Sequence, residues 1–263
     1  MKKGFTLAEG ATHVAQFPKP SCAAFTLAEV LITLGIIGVV AAMTLPTLIQ
    51  NYRKHEVETK LAKFYSVMNQ AIKLSEVENG EMSAWGDIQS GFEKDANNND
   101  DYSKPKDEAW LNKYIFPYLS AAEIEKMPGS NLFAVHFKDG TLALFGAESV
   151  SYYVDKKAYK SVENSHGFSA NIYDKTQTGR KVFTFLFRPA KMCEYSTIPT
   201  PYKYICDGAG LEAYKFDWDG TEEHLRNRTD ISCNANATNE AAYCTALIQL
   251  YGWKIPKDYP FKF

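Results

Sequence analysis

The stretch FTLAEVLITLGIIGVVAAMTL, which runs from Phe25 to Leu45, decides the fold of the N-terminal part of this chain. It contains 21 residues, and its polar side chains are those of Thr26, Glu29, Thr33 and Thr44. A helix rises about 1.5 Å per residue, so this one would measure about 31 Å, close to the roughly 30 Å hydrocarbon core of a bilayer. The sequence therefore predicts a helix that can cross a membrane.

A secretory signal peptide is the alternative interpretation of the same residues. Lys2 and Lys3 would form its basic region, and cleavage would fall near the small residues Ala41 and Ala42. The motif described below favours the membrane-spanning helix over this alternative.

The helical pattern persists beyond Pro46, although the polarity rises. One apolar stripe, at spacings of three and four residues, is formed by Val57, Leu61, Phe64, Met68 and Ile72. Asn79 and Gly80 then supply a stop signal. These features predict a single helix from about Phe25 to Glu78, bent at Pro46 and roughly 80 Å long, whose second half packs its stripe on the rest of the chain.

The remaining residues predict a head of α+β class, in which the long helix packs on an antiparallel β-sheet. Residues 81–105 are polar and indicate a solvated loop, and a short helix is expected from about Asp107 to Leu119. The segments LFAVHF (132–137) and TLALFG (141–146) are joined by Lys-Asp-Gly, which predicts a β-hairpin.

A second hairpin is expected from FSANIYD (168–174) and KVFTFLF (181–187), separated by KTQTGR. A helix is expected from Asn239 to Tyr251, ended by Gly252, because apolar residues recur on one face of it. The C-terminal residues include two prolines and should be extended.

The N-terminal segment AFTLAEVLITLGIIGVVAAMTLP resembles the methylation segment of type IV pilins and type II secretion pseudopilins. In that family a membrane peptidase cuts before a Phe, a Glu lies four residues further on, and a Pro commonly follows 21 residues after the Phe. Phe25, Glu29 and Pro46 match this pattern, while Ala24 stands where the family usually has Gly. The resemblance implies a leader peptide of residues 1–24.

It also implies a helix of residues 25–80 for membrane insertion and polymerisation, and an exported head of residues 81–263. On this interpretation the chain is a structural subunit, not an enzyme, of a type II secretion pseudopilus or a type IV pilus-like filament. A prepilin peptidase would process it, and membrane lipid would surround it before assembly. Other pilin or pseudopilin subunits and the inner-membrane assembly machinery would be its later partners.

The resemblance further implies a location in the bacterial inner membrane. The chain would be single-pass, with a cytoplasmic N-terminus and a periplasmic or extracellular head, and a cell-surface filament is a possible end state. The sequence does not separate a pilus subunit from a pseudopilus subunit. A minor pilin that acts as an adhesion or DNA-binding module is the alternative function.

Glu29 is the residue in the apolar run that most needs an explanation. A carboxylate at a bilayer centre costs about 2.5 to 3.5 kcal/mol, so it is a functional candidate. In the family this Glu pairs with the free N-terminal amine of a neighbouring subunit, here that of Phe25 after cleavage. The alternative is that Glu29 extends to the membrane interface and has no assembly role. For Pro46 the alternative is an incidental helix kink.

A shorter copy of the motif precedes this one, in MKKGFTLAE, where Gly4 and Phe5 occupy the cleavage positions. The residues that follow it are polar and broken by Pro18 and Pro20, so they cannot span a bilayer. We therefore expect cleavage after Ala24. That cleavage would also remove Cys22 and leave an even number of cysteines.

The four remaining cysteines lie in the last third of the chain, at Cys193, Cys206, Cys233 and Cys244. An even cluster of this kind predicts two disulfides and an oxidising compartment. Pairing Cys193 with Cys206 and Cys233 with Cys244 closes the shortest loops, but the other two pairings remain open. Zinc is the rival explanation, and the absence of a CxxC pair argues against it.

Other site chemistries have weak support in the sequence. There is no GxSxG, HExxH, P-loop or GxGxxG motif, so neither catalysis nor a cofactor is expected. The acidic segments Asp95–Asp101 and Asp217–Asp219 do not have the spacing of a calcium-binding EF-hand, and no metal is expected there. The formal net charge of the chain is only -2, so no broad electrostatic field favours binding to nucleic acid. A few basic residues flank the second predicted hairpin, namely Lys175, Arg180, Lys181 and Arg188. Alternating charges on a strand face are usually solvated, so nucleic acid is not expected as a partner.

Overall fold

The computed structural model of this 263-residue chain describes residues 25–86, 88, 91–127, 130–146, 149–159, 161–164, 167–170, 176–188 and 210–263. The chain divides into two compact units, Met1–Thr47 and Leu48–Phe263. Each unit is described by itself below.

One long helix, α1, runs from Leu27 to Asn79 and confirms the predicted single helix. It continues through Pro46 and is followed by Gly80, whose positive φ of 78° suits the end of a helix. The predicted apolar stripe is buried, and its members are Val57, Leu61, Phe64, Met68 and Ile72. The second half of α1 is therefore the core helix of the second unit.

The core helix packs on a six-stranded antiparallel sheet, which confirms the α+β class. The strands are β3 (Ala121–Lys126), β4 (Leu132–Phe137), β5 (Leu142–Gly146), β6 (Ser149–Tyr153), β9 (Val182–Arg188) and β10 (Gly210–Ala213). Their order across the sheet is β10, β9, β6, β5, β4, β3. Phe64 of α1 lies at the centre of the packing, with its ring centroid 4.2 Å from that of Tyr152 and 5.2 Å from that of Phe185.

Strands β4 and β5 form the predicted hairpin. His136 is opposite Leu142, and the turn between them includes Asp139 and Gly140. Gly140 has a φ of 80°, a conformation that glycine adopts without strain. The Asp139 carboxylate accepts hydrogen bonds from the backbone N–H and the hydroxyl of Thr141, which fixes the turn.

The second predicted hairpin is wrong. Strand β8 (Gly167–Ala170) pairs with β7 (Ser161–Asn164), whereas β9 pairs with β6 and β10. The sequence shows two strand-like segments close together, but it does not show that β9 is buried between two other strands. The side chains of β9 are apolar at nearly every position, because both faces of the sheet are covered by other parts of the chain at this strand.

The expected loop at 81–105 contains a small hairpin, so that prediction needs correction. β1 (Phe92–Lys94) pairs with β2 (Asp100–Pro105), and the Asp95 carboxylate accepts hydrogen bonds from the backbone of Asn97 and Asn99 in the turn. Both strands are mostly exposed. Their residues are mainly polar, so the sequence lacks the alternation of apolar and polar residues that predicts a strand. The short helix was predicted correctly: α2 spans Asp107–Tyr114 and a 3₁₀ turn follows at Phe116–Tyr118.

The C-terminal region forms a second apolar core around Trp218, Tyr243, Leu247 and Phe261. It includes α3 (Glu222–Asn227) and α4 (Cys244–Leu250). The expected helix from Asn239 is wrong at its start, since the backbone N–H groups of Thr238, Asn239 and Tyr243 instead donate hydrogen bonds to the carbonyls of residues 229–231. The predicted end of the helix was nearly correct, because α4 ends at Leu250, two residues before the predicted stop at Gly252.

Cys233 and Cys244 form a disulfide within this second core. Their predicted pairing is therefore confirmed, and their sulfurs are not metal ligands. Both cysteines are buried. The other predicted partners, Cys193 and Cys206, lie outside the described residues.

Candidate functional site

The N-terminal half of α1 is an almost fully exposed apolar surface. From Phe25 to Leu45 every side chain is exposed except that of Ala41, which is half-buried. This part of α1 is long and apolar enough to cross a membrane. Exposed apolar side chains on this scale require a non-aqueous partner, such as lipid or other helices.

Thr26 and Glu29 form a capping box at the start of α1. The Glu29 Oε2 atom accepts hydrogen bonds from the Thr26 backbone N–H at 2.8 Å and from the Thr26 hydroxyl at 2.7 Å. The Thr26 hydroxyl in turn accepts a hydrogen bond from the Glu29 backbone N–H at 3.2 Å. This reciprocal arrangement satisfies backbone donors that a helix start leaves unpaired.

We did not predict the capping box from the sequence. Its signal is nevertheless present there, as Thr-x-x-Glu before an apolar run. It gives Glu29 a local role in addition to the expected intermolecular one. The two roles are compatible, since both capping hydrogen bonds use Oε2, and Oε1 makes no hydrogen bond to any residue that the structure describes. Cleavage before Phe25 would leave the box intact, because Thr26 keeps its amide N–H.

The other predicted site residues have simpler surroundings. Phe25 is 84% exposed and precedes the first helical residue. Pro46 lies inside α1, where it removes one backbone donor without ending the helix. Ala24 lies outside the described residues.

Exposed apolar residues continue past Pro46 into the second unit. The side chains of Leu48, Ile49 and Tyr52 are 64%, 48% and 71% exposed. Near the other end of α1, Leu74 and Val77 are also exposed. The core helix thus leaves apolar side chains exposed near both of its ends.

The C-terminal residues are fixed to the core helix by Glu58, a feature that sequence reasoning missed. This buried carboxylate accepts hydrogen bonds from the Ile255 backbone N–H at 2.9 Å and from Lys254 Nζ at 3.2 Å. Burial opposes ionisation of Glu58, but these hydrogen bonds and one with His55 outweigh it and lower the pKa of the carboxyl. The ring of Trp253 packs on Tyr65 beside this contact.

The acidic candidate residues have local structural partners. Asp219 accepts hydrogen bonds from the backbone N–H and hydroxyl of Thr221, which caps α3, and Asp95 holds the β1–β2 turn. Arg180 and Lys181 lie in the turn before β9. Lys175 and the side chain of Arg188 are outside the described part of the structure.

Two family models match the chain. The model of a family of unknown function (DUF6613) matches residues 47–263, and the model of the prokaryotic N-terminal methylation motif matches residues 19–45. The second match includes Phe25 and Glu29 and excludes the earlier copy at Phe5. Neither a curated protein nor a solved structure matches the chain significantly.

Proposed function

The chain belongs to the family of unknown function DUF6613 and carries a prokaryotic N-terminal methylation motif, and we propose that it is a filament subunit processed by a prepilin peptidase. The motif and the long apolar helix make it a type IV pilin-like protein. The match over residues 19–45 is the single observation that carries the proposal. It supports cleavage between Ala24 and Phe25, followed by methylation of the new N-terminus.

The structure of α1 supports assembly through this helix. Its first half exposes apolar side chains along its whole length, while the stripe of its second half is already used in the head. A surface of this kind is stable in lipid before assembly and against neighbouring helices afterwards. Other subunits of pilin or pseudopilin type are the partners, and the inner-membrane assembly machinery transfers the chain between the two environments.

The filament is a type II secretion pseudopilus or a type IV pilus-like fibre. Glu29 would contribute to its register by pairing its free Oε1 atom with the Phe25 amine of a neighbouring subunit, while Oε2 keeps the helix capped. Pro46 would allow the two parts of α1 to adjust during packing.

The Cys233–Cys244 disulfide supports a head outside the cytoplasm, because disulfides persist in oxidising compartments. The proposed topology is therefore a single pass through the bacterial inner membrane, with the N-terminus in the cytoplasm and the head in the periplasm or outside the cell.

Two matched substitutions test the processing step. Ala24→Lys places a charged residue at the proposed cleavage site, and Gly4→Lys makes the same type of change at the earlier copy. We expect Ala24→Lys to abolish cleavage and Gly4→Lys to leave the mature mass unchanged, as measured by intact mass spectrometry. Cleavage that depends on Gly4 and yields a chain starting at Phe5 would contradict the proposal.

A further inference from the structure

A concave surface on the second unit has five basic residues in its lining, and we call it the basic groove. Its basic lining residues are Arg53, Lys60, Arg180, Lys181 and Lys262. Its acidic lining residues are Glu56 and Asp155, and its volume is about 560 Å³. Five basic side chains against two acidic side chains leave a formal side-chain excess of three positive charges.

The two carboxylates are already used by other groups. Glu56 forms an ion pair with Lys60 at 2.7 Å, and Asp155 accepts a hydrogen bond from the Lys157 backbone N–H at 2.9 Å. Within the described ranges, the other four basic side chains of the groove form no ion pair. No carboxylate of the described residues neutralises these four charges, so they can attract an external anion.

Arg180 is positioned by an aromatic ring instead of an acid. Its guanidinium carbon lies 4.8 Å from the centre of the Phe261 ring, and its shielded Nε has no hydrogen-bond partner in the described part of the chain. The turn that carries Arg180 is fixed by Tyr259, whose hydroxyl donates to the Gly179 carbonyl at 2.5 Å. A guanidinium held in this way presents its remaining N–H groups in a planar fork, which suits phosphate.

The groove begins next to residues that suit a membrane interface. Arg53 follows Ile49 by four residues, or about 6 Å of helix, and Tyr52 lies between them with 71% of its surface exposed. Tyrosine and basic residues are enriched where a helix leaves the hydrocarbon core. Duplex DNA offers no partner for these exposed apolar side chains, so their position beside the groove favours a lipid surface.

We propose that the basic groove binds the phosphate groups of anionic phospholipids in the membrane that holds α1. This inference rests on the proposed function in one respect, since it requires a chain anchored in the membrane. The contact would hold the head against the membrane surface before assembly. It would be lost when the subunit moves into a filament.

The test uses the mature full-length chain in nanodiscs of phosphatidylcholine alone or of phosphatidylcholine mixed with the anionic lipid phosphatidylglycerol. Hydrogen exchange of the backbone amides in residues 176–188 and 253–263 is measured by mass spectrometry. We expect slower exchange in the anionic nanodiscs. Each basic residue near an anionic surface contributes about a fivefold gain in binding, so Arg180→Gln with Lys181→Gln should lower lipid binding about 25-fold and remove the difference.

The control is Lys104→Gln with Lys113→Gln, which changes the net charge equally but lies outside the groove. It should retain the lipid-dependent protection. Equal exchange of inserted wild-type protein in both lipid compositions would overturn the proposal. Equivalent protection in neutral nanodiscs by inorganic phosphate or by a short DNA duplex would also overturn it, in favour of that ligand. A chain that fails to enter nanodiscs would instead refute the membrane anchor, and the groove proposal with it.

Discussion

The role of Glu29 can be separated into capping and charge pairing by two substitutions. Glu29→Ala removes both the capping hydrogen bonds and the charge. Glu29→Gln removes the charge but keeps a side-chain oxygen that can accept from the Thr26 N–H, since glutamine also functions in capping boxes. The two variants therefore differ in capping alone.

The expected magnitudes of the two effects differ. Loss of a helix cap costs about 0.5 to 2 kcal/mol, typically near 1, which corresponds to roughly a fivefold change in equilibrium. Removal of one partner from a buried ion pair costs about 3 to 5 kcal/mol, which corresponds to more than a 100-fold change. If Glu29 pairs with the Phe25 amine of a neighbouring subunit, both variants should be excluded from filaments at least 100-fold relative to wild type.

The assay is competition between tagged copies. Wild-type and variant chains carry different epitope tags on an exposed part of the head and are expressed together. Sheared or detergent-isolated filaments are then quantified for each tag, with the ratio in the membrane fraction as the reference. Membrane levels should be equal, because neither change disturbs the head. Normal incorporation of Glu29→Gln with a small defect in Glu29→Ala would refute charge pairing and leave capping as the role of Glu29.

Three further predictions concern the head. Replacing Cys233 and Cys244 with serine should lower the free energy of unfolding by about 3 kcal/mol for a loop of this size, and both cysteines should resist alkylation in native wild-type protein until it is reduced. Free thiols would contradict the disulfide. Phe64→Ala should cost about 3 to 5 kcal/mol by denaturant titration, since Phe64 is 3% exposed; a loss under 1 kcal/mol would mean that the helix does not pack as described. Glu58→Gln should flatten the loss of stability that occurs as the pH falls below the ordinary glutamate pKa of 4.5. The lowered pKa of Glu58 means that its contribution is present above the unfolded pKa and lost as the pH falls through the folded one, and an unchanged profile would refute this.

The sequence was most informative where local patterns determine the structure. The apolar run and the stripe from Val57 to Ile72 predicted α1 almost to the residue, because helical periodicity depends only on near neighbours. The hairpin at Asp139 and Gly140 was predicted for the same reason, since turn geometry requires particular residues.

The misses concern contacts between residues that are distant in the sequence. The partner of β9 could not be predicted, because β6 lies about thirty residues upstream and strand propensity does not specify pairing. Glu58 looked like one more polar residue on a helix, yet it binds the backbone of Ile255. The basic groove likewise combines residues from α1, the turn before β9 and the C-terminal segment, which no local pattern connects.

The most direct test of the central claim is the identity of the chain inside isolated filaments. Filaments are collected from cells that express the protein at native levels, and their N-terminal peptides are analysed by mass spectrometry. We predict a mature chain that begins at Phe25 and carries one N-terminal methyl group. A chain that retains residues 1–24, stays in the membrane and is absent from every filament preparation would contradict its assignment as a filament subunit.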